Sequence, residues 1–266
     1  MPESDPRIRR IEELGNQAAA RGRDVRPAGH FRALIDPATD LVWLNYAVPV
    51  APLGGPAEVR ADLDRLRRIF SDCRRTLRFE FTESLWPELP GLLEEYGLQL
   101  QARHPFMLCE APDFQPRRAA GVTVRPLTAA APPEELAAYH RIQRAAFGFD
   151  PAEGAEGMET QFLEQLRTGG YRAALAFREG EPAGAGCLVT AEETAELAGV
   201  ATHPAHRRRG VAATLSSALI GDHFTGGGRL VWLSAGDDAA RAVYAGIGFR
   251  LAGARLNYIA EPGGAA

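Results

Sequence analysis

Three consecutive arginines, Arg207, Arg208 and Arg209, precede Gly210 at the point where a predicted strand gives way to a predicted helix. Backbone N–H groups in the first turn of a helix have no partner inside it, and they lie at the positive end of the helix dipole. Gly210 carries no side chain that would hold a ligand away, and Ala212 is nearly as small. The spacing therefore predicts a cradle for an anion such as a pyrophosphate. The alternative interpretation is an arginine-rich surface loop that simply begins a helix.

Two other phosphate-binding motifs are absent from the sequence. All 30 basic residues are arginine, so the chain has no lysine and no GxxxxGK[ST] loop. No GxGxxG opens a strand-to-helix turn near the start of a domain. A lysine-type nucleotide loop and a dinucleotide fingerprint are therefore both excluded.

A second pattern follows in the same half of the chain, Ala240-x-x-Val243-Tyr244-x-x-x-Gly248-Phe249. Its apolar members fall on one side of a predicted helix, and a tyrosine on such a face is commonly a core aromatic. A tyrosine hydroxyl is also a proton donor when it lies beside a leaving group. On the residues alone, both interpretations of Tyr244 stay open.

Together the two patterns resemble the signatures of the GNAT superfamily of N-acetyltransferases. Arg207-x-x-Gly210-x-Ala212 is similar to its [Q/R]xxGx[G/A] motif, and the tyrosine pattern is similar to its Ala-x-x-Leu-Tyr-x-x-x-Gly-Phe ending. The resemblance covers about residues 121–260. It implies acetyl-CoA as the co-substrate. It also implies a fold in the order strand, two helices, three antiparallel strands, helix, strand, helix, strand.

The resemblance implies how acetyl-CoA would be held. Backbone groups on the strand before the arginines would hold the pantetheine arm and polarise the acetyl carbonyl. Backbone N–H groups at the helix start would bind the pyrophosphate, and the arginines would add positive field. The implied cofactor-binding residues are Val200, Ala201, Thr202, Arg207, Arg208, Arg209, Gly210, Val211, Ala212 and Ala213. A bulky side chain at Gly210 is then expected to block the ligand and to spare the fold.

The resemblance also implies two catalytic residues. Tyr244 would protonate the departing thiolate, and Glu196, near the start of a predicted strand, would be the general base, directly or through water. Glu192 and Glu193 on the preceding turn are competitors, and a solvated acidic residue at a strand end is the plain alternative for each. Asp237 stands where the family often has an asparagine that touches the cofactor. A carboxylate there caps a helix equally well but would repel a polyanion.

A proline-rich seam at residues 111–121 divides the chain, and its lack of periodicity is typical of a linker. We therefore predict one domain at 1–118 and a catalytic GNAT domain at 119–266. Both halves end in helix, strand, helix, strand, and the first is predicted to be a truncated, degenerate GNAT-like copy. Its counterpart of the phosphate loop, 49–56, carries prolines, which lack N–H donors. The predicted fold class is α/β (α+β), a mixed, mostly antiparallel sheet flanked by helices.

Hydrophobic periodicity predicts the elements that position these residues. In the first half they are a helix at 8–14, a hairpin of strands 31–35 and 41–48, a helix at 59–70, a strand at 77–81, a helix at 87–96 and a strand at 98–109. In the second half they are a strand at 122–126, helices at 134–147 and 158–167 around a glycine-rich stretch at 148–157, strands at 171–177, 183–190 and 196–202, a helix from 211 that ends at 226–228, a strand at 230–233, a helix at 237–245 and a strand at 249–259.

Composition and charge argue against other classes of function. The formal net charge of −4 and a pI of about 5.9 are not typical of a nucleic-acid binder. No run approaches the roughly 18 apolar residues of a membrane helix, and no secretory signal is visible. The cysteines, Cys73, Cys109 and Cys187, are too scattered for a disulfide framework, and Cys187 is predicted to be buried and inert. His203 and His206 have no acidic residue or cysteine nearby in the sequence at the spacing typical of metal ligands, so no metal site is predicted.

The leading hypothesis is an acetyl-CoA-dependent N-acetyltransferase that moves an acetyl group to a primary amine by direct attack. The alternative is a non-catalytic acyl-CoA-binding sensor, and transfer of a longer acyl or an aminoacyl group would use the same cradle. The acceptor, a small molecule or a protein, is not encoded in a readable motif. We expect a cytoplasmic monomer or homodimer with no nucleic-acid or membrane partner.

Overall fold

Two compact units make up the chain. A computed structural model describes residues 5–147 and 155–261. The chain divides into unit 1, residues 1–106 with 253–266, and unit 2, residues 107–252. Seven α-helices and eleven strands lie in the described residues, in a mixed, mostly antiparallel α/β arrangement. None of those helices is both long enough and apolar enough to cross a membrane. The predicted fold class is confirmed.

The boundary between the units lies away from the proline-rich seam. Strands β5 (Leu98–Glu110) and β11 (Arg250–Ala260) each contribute residues to both units. The amino-acid composition does not change where a strand passes from one unit to the other, so the sequence gives no sign of this boundary. The seam is visible in the sequence because its residues favour irregular backbone. The predicted domain ranges, 1–118 and 119–266, therefore differ from the compact units. As functional domains these ranges stay predictions.

Unit 1 contains a sheet in the order β1-β2-β3-β4-β11, antiparallel except for the pair β3 and β4. The periodicity that predicts its second helix is confirmed, since Val59, Leu63, Leu66 and Phe70 are all buried. Besides β5 and β11, its elements are α1 (Pro6–Ala19), β1 (Asp24–Ala28), β2 (Phe31–Ile35), β3 (Tyr46–Pro49), α2 (Pro56–Asp72), β4 (Arg78–Thr82) and α3 (Leu89–Glu95).

Two parts of unit 1 differ from the expectation based on sequence. Strand β1 is not predicted, because its five residues include a proline and two charged side chains and show no alternation. The predicted strand 41–48 begins only at Tyr46, because Val42–Leu44 form a 3-10 turn. The buried amide of Asn45 holds that turn by donating to two loop carbonyls at 3.0 and 2.9 Å. A buried amide of this kind outweighs the strand preference of the surrounding apolar residues.

Unit 2 contains a sheet in the order β10-β9-β8-β7-β6, antiparallel except for the pair β9 and β10. The predicted order of strands and helices is confirmed. The glycine-rich stretch predicted at 148–157 falls mainly outside the described residues. The elements are β6 (Val122–Leu127), α4 (Pro133–Phe147), α5 (Ala155–Thr168), β7 (Tyr171–Arg178), β8 (Glu181–Ala191), β9 (Thr194–Thr202), α6 (Val211–Thr225), β10 (Leu230–Ser234) and α7 (Asp238–Ala245).

The helices of unit 2 cover two faces of its sheet. On one face, α4 and α5 bring Tyr139 and Phe162 into a core cluster with Cys187 of β8. On the other face, α6 brings Leu215 into a cluster with Leu188, the next residue of β8. Successive side chains of a strand point to opposite sides. We call these two sides the α4 face and the α6 face.

Replacing Leu256 by alanine is expected to destabilise unit 1. The Leu256 side chain is 2% exposed and lies in the core cluster of unit 1. The change removes buried methyl groups and leaves a cavity, which costs about 2–5 kcal/mol of the free energy of unfolding. Urea unfolding measures this loss. Leu251→Ala on the same strand is the control, because that side chain is 60% exposed; a comparable loss in both variants would contradict the assigned burial.

Candidate functional site

The parallel strands β9 and β10 part along their length. Their register covers three residue pairs, 194–196 of β9 with 230–232 of β10. On its other side, β9 stays paired with β8 as far as Thr202. Residues 197–202 of β9 therefore present one backbone edge to an opening between the two parallel strands.

A β-bulge lies in the parted stretch of β9. Gly199 and Val200 together oppose the single residue Gly186 of β8. Gly199 has a φ of 59°, in the left-handed region that favours glycine. A bulge bends its strand and increases the local twist. The bulge thus gives a local reason for β9 to leave its parallel neighbour.

The N-terminus of α6 is open. Gly210, the residue before the helix, has a φ of 75° and offers no side chain as a cap. Within the described residues, the N–H groups of Val211, Ala212 and Ala213 have no acceptor, whereas that of Thr214 donates to the Gly210 carbonyl at 3.0 Å. Three unpaired donors at the positive end of a helix dipole suit an anion. This is the geometry that the predicted cradle requires.

The three arginines before Gly210 are exposed. Arg208 has a φ of 59°, and the left-handed conformation costs a residue other than glycine about 1 kcal/mol. The Arg207 Nε donates to the Thr202 carbonyl at 3.4 Å, which ties the loop to the end of β9. The loop therefore carries three cationic side chains beside the open helix end.

Residues of the proline-rich seam pack along α6. The backbone N–H of Arg117 donates to Ser217 Oγ, and that of Ala119 donates to Thr214 Oγ1, both at 2.9 Å. A Cβ built on Gly210 would lie 2.6 Å from the Cβ of Ala119. The expectation that a side chain at Gly210 spares the fold is therefore wrong, because the seam fills the space beside it.

Tyr244 lies on α7 and packs against the core cluster of the α6 face. Its ring meets that of Phe249 edge to face, with centroids 5.9 Å apart. Burial, and after it the negative charge of Asp237, raise the pKa of Tyr244 to about 12. The phenol therefore keeps its proton at neutral pH, and the half-buried residue remains a hydrogen-bond donor.

Asp237 closes the N-terminus of α7. Its Oδ1 accepts from the N–H of Ala240 at 2.7 Å. A carboxylate in this position satisfies the helix donors and repels a second anion. The start of α7 is thus capped, in contrast to the open start of α6.

Glu196 stands at the last paired position before β9 and β10 part. It is half-buried and lies two residues before Ala198, which opposes Cys187 on the α4 face. Burial, and to a smaller extent the charge of Glu196, raise the pKa of Cys187 to about 12. Glu192 and Glu193 lie in the turn at the other end of β9. Of the three acidic candidates, Glu196 is nearest along the strand to the parted stretch.

One side chain that the sequence motifs do not single out reaches the bulge from α4. Gln143 Nε2 donates to the Gly199 carbonyl at 2.9 Å and to the Tyr139 hydroxyl at 3.0 Å. A Cβ on Gly199 would lie 2.6 Å from the same nitrogen. The signal in the sequence is the spacing of four residues from Tyr139, which places an amide beside the apolar stripe of α4.

Comparisons with known proteins agree with this geometry. Residues 136–249 match the model of the acetyltransferase (GNAT) family. Residues 136–249 are therefore a GNAT family domain. The matched residues contain the bulge of β9, the open end of α6 and Tyr244, and the fold supports acyl transfer.

Solved structures extend the likeness over the whole chain. A GCN5-related N-acetyltransferase from Kribbella flavida is 28% identical, with a TM-score of 0.81 and 96% of each chain covered. Another from Sphaerobacter thermophilus is 17% identical, with a TM-score of 0.66, covering 88% of this chain and 78% of that one. A tandem GNAT protein from the clavulanic acid biosynthesis pathway is 17% identical, with a TM-score of 0.62, covering 99% and 97%. The last two show the fold alone, and they agree with the predicted tandem architecture. The comparison with curated proteins found no match.

Unit 1 lacks the open helix end of the GNAT domain. Its α2 begins at Pro56, which has no N–H. The N–H groups of Glu58 and Val59 both donate to the Gly55 carbonyl, at 3.0 and 3.1 Å. The Glu58 carboxylate also fills the space where a side chain on Gly54 would lie. A closed, acidic helix start is poorly suited to a phosphate.

The remaining candidates of the GNAT domain have structural surroundings. His203 and His206 flank the short turn between β9 and α6, with ring centroids 5.8 Å apart. Across residues 5–147 and 155–261, no three His, Cys, Asp or Glu side chains lie close enough together to hold a metal ion. Cys187 is buried, as the sequence predicts, and its raised pKa keeps it a neutral thiol.

Replacing Gly210 by alanine is expected to lower stability by about 1–2 kcal/mol, because the backbone there is left-handed and the added Cβ meets Ala119. It should also weaken acetyl-CoA binding by about tenfold or more as the helix end shifts, a loss of about 1.4 kcal/mol. Thermal unfolding and calorimetric titration measure the two effects. Gly227→Ala is the matched control, since its φ is 92° but its Cβ position is open. Wild-type affinity in both variants would remove α6 as the anion site.

Proposed function

We propose that the chain is an acetyl-CoA-dependent N-acetyltransferase that moves an acetyl group to a primary amine by direct attack. The observation that carries the proposal is the opening between β9 and β10 beside the uncapped start of α6. An extended chain of amides that ends in a pyrophosphate requires both features: strand-like backbone partners for the amides and free N–H donors for the phosphates. Acetyl-CoA has that chemistry.

The binding residues follow from the two features. Backbone groups of Val200, Ala201 and Thr202 lie on the parted edge of β9 and would pair with the pantetheine amides. The N–H groups of 211–213 would receive the pyrophosphate, with Arg207, Arg208 and Arg209 adding positive charge. The cradle is built from backbone, so its shape depends on the left-handed residues of the loop rather than on side-chain length.

Acetyl transfer needs one proton taken from nitrogen and one delivered to sulfur. The neutral amine attacks the carbonyl carbon, the new C–N bond forms, and the C–S bond then breaks to release the thiol. Glu196, on the α4 face at the head of the opening, would accept the proton from the amine, directly or through water. Tyr244 belongs to the cluster of the α6 face. Base and acid would then approach the acetyl group from opposite faces of the sheet.

The raised pKa of Tyr244 defines its role. A cysteine-like thiol has a pKa of about 8.5, against about 12 for this phenol. The phenol therefore stays protonated at neutral pH. Tyr244 would donate a hydrogen bond to the departing sulfur, pass its proton to the thiolate as general acid, and regain a proton from solvent afterwards.

The packing of Tyr244 against the core of the α6 face favours a second candidate function, a non-catalytic acyl-CoA sensor. A half-buried aromatic ring packed against a core cluster has a structural role that needs no catalysis. A sensor would bind acetyl-CoA tightly and release no thiol. A thiol-release assay with acetyl-CoA against a panel of small primary amines and peptides separates the two: amine-dependent release supports the transferase, and tight binding without release supports the sensor.

The full-length chain is expected to bind one equivalent of acetyl-CoA. Unit 2 offers three free N–H groups at the start of α6, whereas α2 of unit 1 begins with Pro56 and the Glu58 carboxylate. Isothermal titration calorimetry gives the stoichiometry. Two equivalent sites per chain would contradict the degenerate character of unit 1. Raising the salt concentration should weaken the single site, because the contacts to phosphate are electrostatic.

Tyr244→Phe is expected to lower turnover by about 10²-fold, because it removes the donor to the departing sulfur and keeps the ring. Affinity for acetyl-CoA should change little, since the ring retains its packing. Steady-state kinetics and calorimetry measure the two quantities. Tyr96→Phe in unit 1 is the matched control, because burial and the hydrogen bond to Asp64 raise its pKa to about 12 as well. Wild-type turnover in the Tyr244 variant with an identified amine would exclude the donor role.

A further inference from the structure

The peptide between Gly199 and Val200 is held from the α4 face. Gln143 Nε2 donates to the Gly199 carbonyl at 2.9 Å. The peptide bonds of the described residues are trans, and in a trans peptide the C=O and the N–H point in opposite directions. The bond from Gln143 therefore turns the N–H of Val200 away from α4.

Three features of the chain combine to make this bond. The bulge exposes the Gly199 carbonyl to α4 by placing two residues of β9 opposite one residue of β8. The absence of a side chain on Gly199 leaves the space that the Gln143 amide fills. The Tyr139 hydroxyl accepts the second hydrogen of the same Nε2, which fixes the rotation of the amide plane. A half-buried glutamine with both donors engaged is a rigid group.

We propose that Gln143 is a positioning residue for acetyl transfer: it orients and polarises the Gly199–Val200 peptide so that the Val200 N–H donates to the acetyl carbonyl oxygen. A hydrogen bond to a peptide carbonyl strengthens the N–H of the same peptide as a donor. The negative charge that develops on the acetyl oxygen is then stabilised by a donor already in place. The inference rests on the proposed function, and it adds a residue outside the family motifs.

The direct readout is the carbonyl stretching frequency of acetyl-CoA labelled with ¹³C at the acetyl carbonyl, bound to the full-length protein. A donated hydrogen bond lowers this frequency relative to the free thioester. We expect a lowered frequency in the wild type and a return towards the free value in Gln143→Met, which keeps the length of the side chain and removes its donor. This readout needs no amine, and a merely structural role for Gln143 would not move it.

Kinetics supply the second readout. For Gln143→Met we expect kcat to fall by about tenfold, less than the loss on deleting an oxyanion donor itself, because Val200 N–H remains present. The KM for acetyl-CoA should stay within about twofold, since the phosphate contacts at α6 are unchanged. Arg141→Met is the control on the same helix, because the Arg141 side chain is exposed. It should retain the wild-type frequency and kcat.

A second variant guards against a packing artefact. Gln143→Glu preserves shape, but its ionised carboxylate cannot donate to the Gly199 carbonyl, so the frequency should resemble that of Gln143→Met at neutral pH. Protonation of the glutamate at lower pH restores one donor, and the frequency should then move back towards the wild-type value, whereas Gln143→Met should not respond. A folded Gln143→Met protein with wild-type frequency and kcat would overturn the inference alone. If the wild type does not bind acetyl-CoA, the proposed function fails, and the inference fails with it.

Discussion

The separation of two parallel strands is the constraint on which the rest of unit 2 depends. A strand interior normally has its backbone groups paired on both sides, and an unpaired buried group is costly. After residue 196, β9 keeps β8 as a partner and loses β10. A ligand that carries its own amides can take the place of the missing strand. In the proposed function, the bulge at Gly199, the uncapped α6 and the placement of Glu196 at the last paired position would all serve this opening.

The helix that joins the two strands of each parallel pair starts differently in the two units. In unit 1 the parallel pair β3 and β4 is joined at one position, Ala47 with Phe79. At the start of α2, proline and a carboxylate stand where α6 has free N–H donors. When Gly97-Leu98 is matched with Gly248-Phe249, the position of Tyr244 is taken by Leu93, which is fully buried. At this position unit 1 therefore has an apolar packing residue and no hydroxyl.

A feature of the fold or of the candidate site can be predicted from the sequence when the residues that produce it lie close together along the chain. The apolar spacing of α2 and the two motifs of the GNAT domain are contained within short windows, so the sequence alone predicts them. The bond between Gln143 and Gly199 joins residues 56 positions apart, and that between Arg117 and Ser217 joins residues 100 apart. Periodicity carries no information about such pairs. For the same reason the seam reads as a linker, although its backbone packs along α6.

The net charge of −4 does not oppose binding of a polyanion at this site. At physiological ionic strength, exposed charges farther apart than about 8 Å are largely screened. A phosphate at the proposed site would therefore meet the local field: three arginines, the free N–H groups of 211–213 and the positive end of the α6 dipole. Carboxylates stand near the starts of two other helices, Asp237 at α7 and Glu58 in the first turn of α2. Of these three helix starts, the one beside the parted strands has three arginines and no carboxylate, so its local field suits an anion although the net charge of the chain is negative.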